Sequence, residues 1–284
     1  MISPRIFKPF TPLLLLIFVA CSPFSVIDAI VPEEGYERET AIPYGAEERQ
    51  KLDLYRPTRP NSDHSIIVFL YGGSWRMGDR RQYRFAAQPL AAAGYTTVVP
   101  DYRLYPEVRF PDFVSDAAKA VAWVQRELVG EGEPPRIVLV GHSAGAHTAA
   151  LLALDRRFLV AEGLSPSILK GWVGLAGPYA FNPLKTRSVR PVFELIADDI
   201  DQGRPIAFAR PGAPPALLLH GTSDTTVYPL NSERLEAALR LAGSSVIYKP
   251  LENVGHIAIV VSIAQPGLGG AKIVSEIAQF IRGL

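Results

Sequence analysis

Short apolar stretches alternate with segments of helical spacing from residue 36 to the end of the chain. Most of the stretches are rich in Val, Ile, Leu or aromatic residues, and several are apolar at every position. Continuous apolar runs of this length are typical of strands that are covered on both faces. Strands are therefore predicted at 36–42, 51–55, 66–71, 96–99, 136–140, 172–176, 216–220 and 246–248.

The intervals between these strands carry helical patterns. In 113–128 the apolar residues recur every three or four positions and form one face, and 82–93 stops at Gly94, a residue suited to end a helix. The other predicted helices are 143–154, 230–241 and 273–281. Alternating strands and helices predict an α/β fold, a mostly parallel eight-stranded sheet with helices on both faces and an antiparallel pair at its start.

Residues 178–213 interrupt this alternation. The segment contains five prolines and three aspartates and shows neither period. Parallel sheets bind ligands beyond the carboxyl ends of their strands. We therefore predict a small lid inserted over those ends, with a merely irregular connection as the alternative.

The N-terminal segment has the build of an export signal. Arg5 and Lys8 precede the apolar run 13–20, which is too short to span a bilayer comfortably. The chain's only cysteine, Cys21, follows directly. An apolar run, a small residue and Cys resemble a bacterial lipoprotein signal, in which Cys21 would be lipidated and become the mature N-terminus; the alternative is an ordinary signal peptide.

This reading divides the chain into three parts. Residues 1–20 are the predicted signal peptide, 21–35 a linker and 36–284 the folded domain. The expected location is outside the cytoplasm, periplasmic or anchored to the membrane through Cys21. A single cysteine allows no internal disulfide.

Charge and residue clusters argue against several partner classes. The chain has 29 Lys and Arg against 28 Asp and Glu, with no basic stripe, so nucleic acid is not an expected partner. No His or Cys cluster has the spacing of metal ligands, so a metal is not expected. The sequence carries no signal for the oligomeric state.

The clearest chemical motif is Gly141-His142-Ser143-Ala144-Gly145. It lies between a predicted buried strand and a helix rich in small residues, the context of a nucleophile elbow. The flanking glycines lack the Cβ atoms that would clash in so sharp a turn. Ser143 is therefore the predicted nucleophile.

A second motif follows the strand at 66–71 in Tyr71-Gly72-Gly73-Ser74-Trp75. Glycines allow close approach of the backbone to a substrate oxygen. The amides of Gly73 and Ser74, with that of Ala144, are the predicted oxyanion hole. Trp75 is expected to pack under the lid, with lining of the acyl pocket as the alternative.

A serine hydroxyl needs a base to take its proton. Of the five histidines, His256 follows the strand at 246–248 and precedes the last helix, and Asp224 follows the strand at 216–220. They are the predicted base and its orienting acid. His142 is expected to point elsewhere, His147 to be buried and His64 to be exposed. The rival acids are in the lid segment, and Asp101 is a structural candidate; the lid acids are Asp198, Asp199 and Asp201.

Taken in order, these motifs resemble the α/β-hydrolase esterases related to hormone-sensitive lipase, arylformamidase and the bacterial feruloyl-esterase-like group. The resemblance covers residues 48–284 and includes Leu52-Asp53-Leu54-Tyr55-Arg56-Pro57, Asp101-Tyr102-Arg103-Leu104 and His220-Gly221-Thr222-Ser223-Asp224. It implies the α/β-hydrolase fold and cofactor-free ester hydrolysis through an acyl-enzyme on Ser143. In that group His usually stands where this chain has Tyr71.

The leading hypothesis is a serine carboxylesterase that acts on small acyl esters. An arylformamidase or another acyl-amide hydrolase on the same three residues is the first alternative. A non-catalytic, surface-anchored binding protein is the alternative from another class. The presence of Ser143, Asp224 and His256 together argues against it.

Overall fold

The computed structural model describes residues 31–129, 136–264 and 272–284, together with Ile27. Its centre is one eight-stranded sheet in the order β1-β2-β4-β3-β5-β6-β7-β8. The strands are β1 (Tyr36–Pro43), β2 (Lys51–Pro57), β3 (Ile66–Leu70), β4 (Thr96–Pro100), β5 (Ile137–His142), β6 (Leu169–Leu175), β7 (Ala216–Gly221) and β8 (Val246–Leu251). Only the β1–β2 and β2–β4 pairs are antiparallel, which confirms the predicted mostly parallel sheet.

Helices cover the sheet, and the central strands β3, β5 and β7 are buried at every position. The helices are α1 (Arg84–Ala92), α2 (Asp112–Val124), α3 (Ala144–Leu154), α4 (Arg156–Ala161), α5 (Leu230–Leu241), α6 (His256–Ala264) and α7 (Ile273–Arg282). Strands without any polar face are stable only when both faces are covered. The apolar runs of the sequence therefore correspond to the middle of the sheet.

Two helices, α4 and α6, are not among the sequence predictions. Helix α6 consists almost wholly of Ile, Val, Ala and Ser, and five of its nine residues are buried. An apolar segment rich in β-branched residues lacks the two-sided pattern of an amphipathic helix. In the structure, α6 packs against α1. This tertiary contact, and no amphipathic pattern in the sequence, goes with its helical conformation.

The proline-rich segment 178–213 is built from five short 3₁₀ helices. Proline lacks the amide that a long helix requires, so only short turns form. The segment is joined to the loop before α2 by Phe110 N–H, which donates to the carbonyl of Val192 at 2.9 Å, and by Arg109 Nε, which donates to Pro191 at 3.1 Å. Its function as a lid remains a prediction.

The predicted signal peptide 1–20 and Cys21 lie outside the described residues, as does most of the predicted linker. The described end of that linker packs along α1, where Arg84 contacts Glu33 at 3.0 Å and Gln88 donates to the carbonyl of Glu34 at 3.1 Å. Among the helices of the described ranges, none is both long and apolar enough to cross a membrane.

Candidate active site

The backbone at Ser143 forms a sharp turn between β5 and α3, with φ 54° and ψ −119°. A positive φ is unfavourable for a residue with a Cβ, so this conformation stores strain. A Cβ added to Gly145 would collide with the carbonyl of Leu70, and one added to Gly141 would collide with the carbonyl of Gly145. The two flanking glycines thus allow the turn to pack against β3 and α3.

Ser143, His256 and Asp224 meet at the carboxyl edge of the sheet. The Oγ of Ser143 lies 2.9 Å from Nε2 of His256, and Nδ1 of His256 lies 2.7 Å from Oδ2 of Asp224. Nδ1–H donates to the carboxylate, which leaves Nε2 free to accept the hydroxyl proton. This is the hydrogen-bonded arrangement of a nucleophile, a base and its orienting acid.

The carboxylate of Asp224 is buried and well supplied with donors. Its Oδ1 accepts from the amides of Thr226 at 2.9 Å and Val227 at 2.8 Å. Burial alone would raise the pKa of Asp224, but hydrogen bonds from His220 and His256 outweigh it and hold this pKa well below its usual range. The acid therefore stays ionised and keeps the tautomer of His256 fixed.

His220 is a residue of this site that the sequence reasoning did not assign. Its Nε2 donates to the carbonyl of Val227 at 2.7 Å and lies 3.3 Å from Oδ2 of Asp224. Its Nδ1 is 2.7 Å from the hydroxyl of Ser232. Its position at the end of β7, four residues before Asp224, is the signal that could have indicated this contact.

The loop after β3 brings backbone amides to the same edge. Ser74 and Ala144 line a cavity together with Ser143, and Gly72 abuts the nucleophile so closely that an added Cβ would lie 3.0 Å from Cβ of Ser143. Within the described part of the chain, the amides of Gly73, Ser74 and Ala144 have no acceptor. They are free to donate to a substrate oxygen, and their role as an oxyanion hole remains a prediction.

Tyr71, the residue before Gly72 and Gly73, is fully buried below this loop. Its hydroxyl donates to Asp101 at 2.6 Å and accepts from Arg49 at 3.1 Å, while Tyr102 donates to its carbonyl at 2.8 Å. Arg80 also donates to Asp101 through its backbone amide at 2.7 Å. Asp101 is thus a structural anchor of the loop.

The alternative acids and the other histidines lie elsewhere. Asp198, Asp199 and Asp201 are exposed, and Asp201 pairs with Arg204 at 2.6 Å. As predicted, His64 is exposed, and His147 is buried and donates from Nε2 to the carbonyl of Gly203 at 2.7 Å.

The expectation that His142 points away from the site is wrong. Its Nε2 donates to the backbone carbonyl of His256 at 3.0 Å. The reason is tertiary, since the carboxyl end of β5 and the start of α6 meet at the same edge of the sheet.

A cavity of about 270 Å³ opens beside Ser143. Among the residues that the structure describes, no charged side chain lines it, and its walls include Trp75, Phe181, Val189 and Tyr228. Trp75 also packs in an aromatic cluster, stacked on Phe181 at 6.2 Å and edge-on to Phe193 at 4.8 Å. Trp75 thus packs against the segment 178–213 and also lines the cavity, and the roles of that segment as a lid and of the cavity as an acyl pocket remain predictions.

No group of His, Cys, Asp or Glu suited to a metal ion occurs in the part of the chain that the structure describes.

The mostly parallel sheet, the elbow after β5 and the acid and base after β7 and β8 define the chain as an α/β-hydrolase with the side-chain arrangement of a serine hydrolase. Solved structures agree on the fold. Esterase B of Lactobacillus rhamnosis superposes with a TM-score of 0.76 at 21% identity over 92% of this chain and 91% of that chain. The apo form of Thermogutta terrifontis esterase 2 gives 0.68 at 25% identity over 89% and 96%.

Sequence comparisons point in the same direction. Residues 52–171 match the BD-FAE family model. A probable isoprenylcysteine alpha-carbonyl methylesterase of Oryza sativa subsp. japonica is 30% identical over 85% of this chain and 63% of its own length. Esterase LipQ of Mycobacterium tuberculosis is 27% identical over 79% of this chain and 58% of its own. The chain thus spans about 60% of the length of these two relatives.

Proposed function

We propose that the protein is a serine carboxylesterase that hydrolyses small, uncharged acyl esters through an acyl-enzyme on Ser143. The observation that carries the proposal is the continuous hydrogen-bonded series from Ser143 through His256 to Asp224, at 2.9 Å and 2.7 Å. Beside it lie backbone amides that have no acceptor among the described residues. The names of the esterase relatives support the same activity.

In this mechanism Ser143 Oγ attacks the ester carbonyl while His256 Nε2 takes the hydroxyl proton. The amides of the loop after β3 and of Ala144 stabilise the negative oxygen of the tetrahedral intermediate. His256 then gives the proton to the departing alkoxide, which leaves as an alcohol. A water molecule attacks the acyl-enzyme with His256 again as base, and the acid is released with Ser143 restored.

The cavity limits the substrate. A volume of about 270 Å³ accommodates a short acyl group, and walls without charge leave an ionised acyl chain without a partner. Activity is therefore expected to be highest on short, neutral acyl chains and to fall on longer chains and on dicarboxylic half-esters. An acyl-chain series of p-nitrophenyl esters measures this preference.

The decisive experiment replaces the nucleophile. Ser143→Ala is expected to lose on the order of 10⁶-fold in kcat on p-nitrophenyl butyrate and to resist labelling by a fluorophosphonate. Ser165→Ala, in an exposed loop, is the matched control and should keep both properties. Ester hydrolysis that survives in Ser143→Ala would overturn the assignment, and failure of the native protein to react with the probe would favour a binding protein.

A formamidase activity is the second candidate. Kynurenine formamidase of Danio rerio is 26% identical over 77% of this chain, which covers 74% of that protein. A formyl group needs little of the cavity, and the same three side chains would cleave an amide. Parallel kcat/KM values for N-formylkynurenine and p-nitrophenyl acetate distinguish the two substrate classes.

We also propose that the protein is exported and that Cys21 carries the anchoring lipid. The support is the apolar run 13–20 that ends directly before the chain's only cysteine. In a bacterial host the full chain should incorporate radiolabelled palmitate and sediment with membranes. Cys21→Ala should abolish the label, and a label that persists in this variant would contradict lipidation at Cys21.

A further inference from the structure

His142 lies next to the nucleophile in the chain, yet its ring faces the base. Nε2–H donates to the backbone carbonyl of His256 at 3.0 Å, and the two imidazole centroids are 4.9 Å apart. The residue is only 3% exposed. The mechanism proposed above gives this second imidazole no task, although it touches the residue that moves the proton.

His256 is the first residue of α6, where the amide of Ile259 donates to the carbonyl of Gly255 at 3.2 Å, and the residues before His256 are held by the loop after β7. Ser223 donates to the carbonyl of Val254 at 3.1 Å, and Thr222 accepts from the amide of Asn253 at 3.0 Å. Next to His256 the packing is open, since a Cβ on Gly255 would meet no atom closer than 3.9 Å. The His142 contact therefore joins the main chain of the base directly to the rigid end of β5.

The protonation state of His142 suits this contact. A backbone carbonyl only accepts, so Nε2 of His142 carries the hydrogen; within the described residues Nδ1 has no partner. Burial, followed by the nearby His256, lowers the pKa of His142 to about 3. A neutral ring can hold His256 without placing a second positive charge beside the imidazolium that forms during catalysis.

We propose that His142 is a positioning residue for the base. Its Nε2–H holds the main chain of His256 and thereby keeps Nε2 of His256 within hydrogen-bonding distance of Ser143. The proposal rests on the function proposed above. Displacement of a reacting group by about 1 Å costs on the order of 10²-fold in rate, so a single hydrogen bond at this point has a measurable effect.

Two variants with neutral amide side chains of different length test the hydrogen bond from His142 to the carbonyl of His256. In His142→Gln the side-chain amide can extend to the place of Nε2, whereas in His142→Asn it is one methylene shorter and falls short of the carbonyl. His142→Asn is expected to lose roughly 10- to 100-fold in kcat with little change in KM. The rate of fluorophosphonate labelling should fall by the same factor. His142→Gln should recover most of both rates.

His147→Asn is the matched control. His147 is also fully buried and donates Nε2–H to a backbone carbonyl, that of Gly203 at 2.7 Å. Its main-chain amide donates to the carbonyl of Ser143 at 3.1 Å, a contact that the substitution keeps, and among the described interactions its side chain does not contact the three catalytic side chains. The His147→Asn variant should lower the melting temperature about as much as His142→Asn does, while its kcat should equal that of the native protein.

Three results would overturn the proposal. They are equal kcat values for His142→Asn and His142→Gln, a loss in His142→Asn no larger than in His147→Asn, or a folded His142→Gln variant that is as slow as Ser143→Ala. Activity that survives in Ser143→Ala would instead overturn the esterase assignment itself. The two failures are therefore distinguishable.

Discussion

At the scale of single residues, the site depends on hydrogen bonds that keep individual side chains in one protonation state. Asp224 accepts from two backbone amides and from His256, so it remains a carboxylate and holds the hydrogen of His256 on Nδ1. Tyr71 has a comparable position under the oxyanion loop, where burial raises its pKa well above the usual range and keeps its hydroxyl a donor to Asp101. The role of each residue can be tested by a substitution that keeps the shape of the side chain and removes the hydrogen-bonding group.

Asp224→Asn is expected to lose about 10³- to 10⁴-fold in kcat, because an amide would favour the wrong tautomer of His256. The measurement is kcat on p-nitrophenyl butyrate for this variant and for Asp201→Asn, a rival acid that is exposed and paired with Arg204. The Asp201 variant should match the native rate. The reverse ranking would assign the acid to the lid segment.

Tyr71→Phe removes one hydroxyl and keeps the ring. It leaves Asp101 and Arg49 without their shared partner at 2.6 Å and 3.1 Å, so the loop that carries Gly73 and Ser74 should loosen. We expect kcat to fall about tenfold, with KM nearly constant, because the amides act mainly in the transition state. A variant with native kcat would show that the ring alone holds the loop.

At the scale of elements, the cavity is shared between the sheet edge and the segment 178–213. That segment supplies Phe181 and Val189 to the walls and is itself held by Phe110 and Arg109. Trp75 stands between the two, since it lines the cavity and stacks on Phe181. In the proposed function, this indole is one of the side chains that limit the size of the acyl group.

Trp75→Ala should widen the cavity and shift the acyl preference to longer chains. We expect the ratio of kcat/KM for p-nitrophenyl octanoate to that for the acetate to rise about tenfold, as each buried methylene contributes about 0.8 kcal/mol. Trp123→Ala, a substitution in α2 away from the cavity lining, is the control and should leave the ratio unchanged. An unchanged ratio in Trp75→Ala would place the acyl group elsewhere.

At the scale of the whole molecule, burial of neutral histidines makes stability depend on pH. Burial lowers the pKa of His142 to about 3 and that of His147 to about 4. The unfolded chain binds protons at these histidines below about pH 6.5, whereas the folded chain does not. The free energy of unfolding is therefore expected to fall as the pH decreases from about 6.5.

Urea unfolding at pH 7 and pH 5 measures this effect. The contribution of His147 to the decrease should be on the order of 2 kcal/mol. In His147→Gln, where the group cannot titrate, the difference between the two pH values should be smaller by about that amount. An identical difference in the native protein and the variant would contradict the buried, neutral state of His147.

The amino-acid sequence by itself determined the eight strands, the elbow at Ser143 and the order of nucleophile, acid and base. These features depend on local physics, since an apolar run needs two covered faces and a sharp turn needs its glycines. The predicted bounds of β3, β5 and β7 lie within one or two residues of the observed ones.

Only the tertiary structure decided the rest. Helix α6 has no amphipathic pattern in its sequence, and it packs against α1 in the structure. The contacts of His142 and of Ser143 with His256 join residues that follow different strands. Their cause is the parallel sheet, which brings the carboxyl ends of separate strands to one edge, and a pattern along the chain does not show which side chains face each other there.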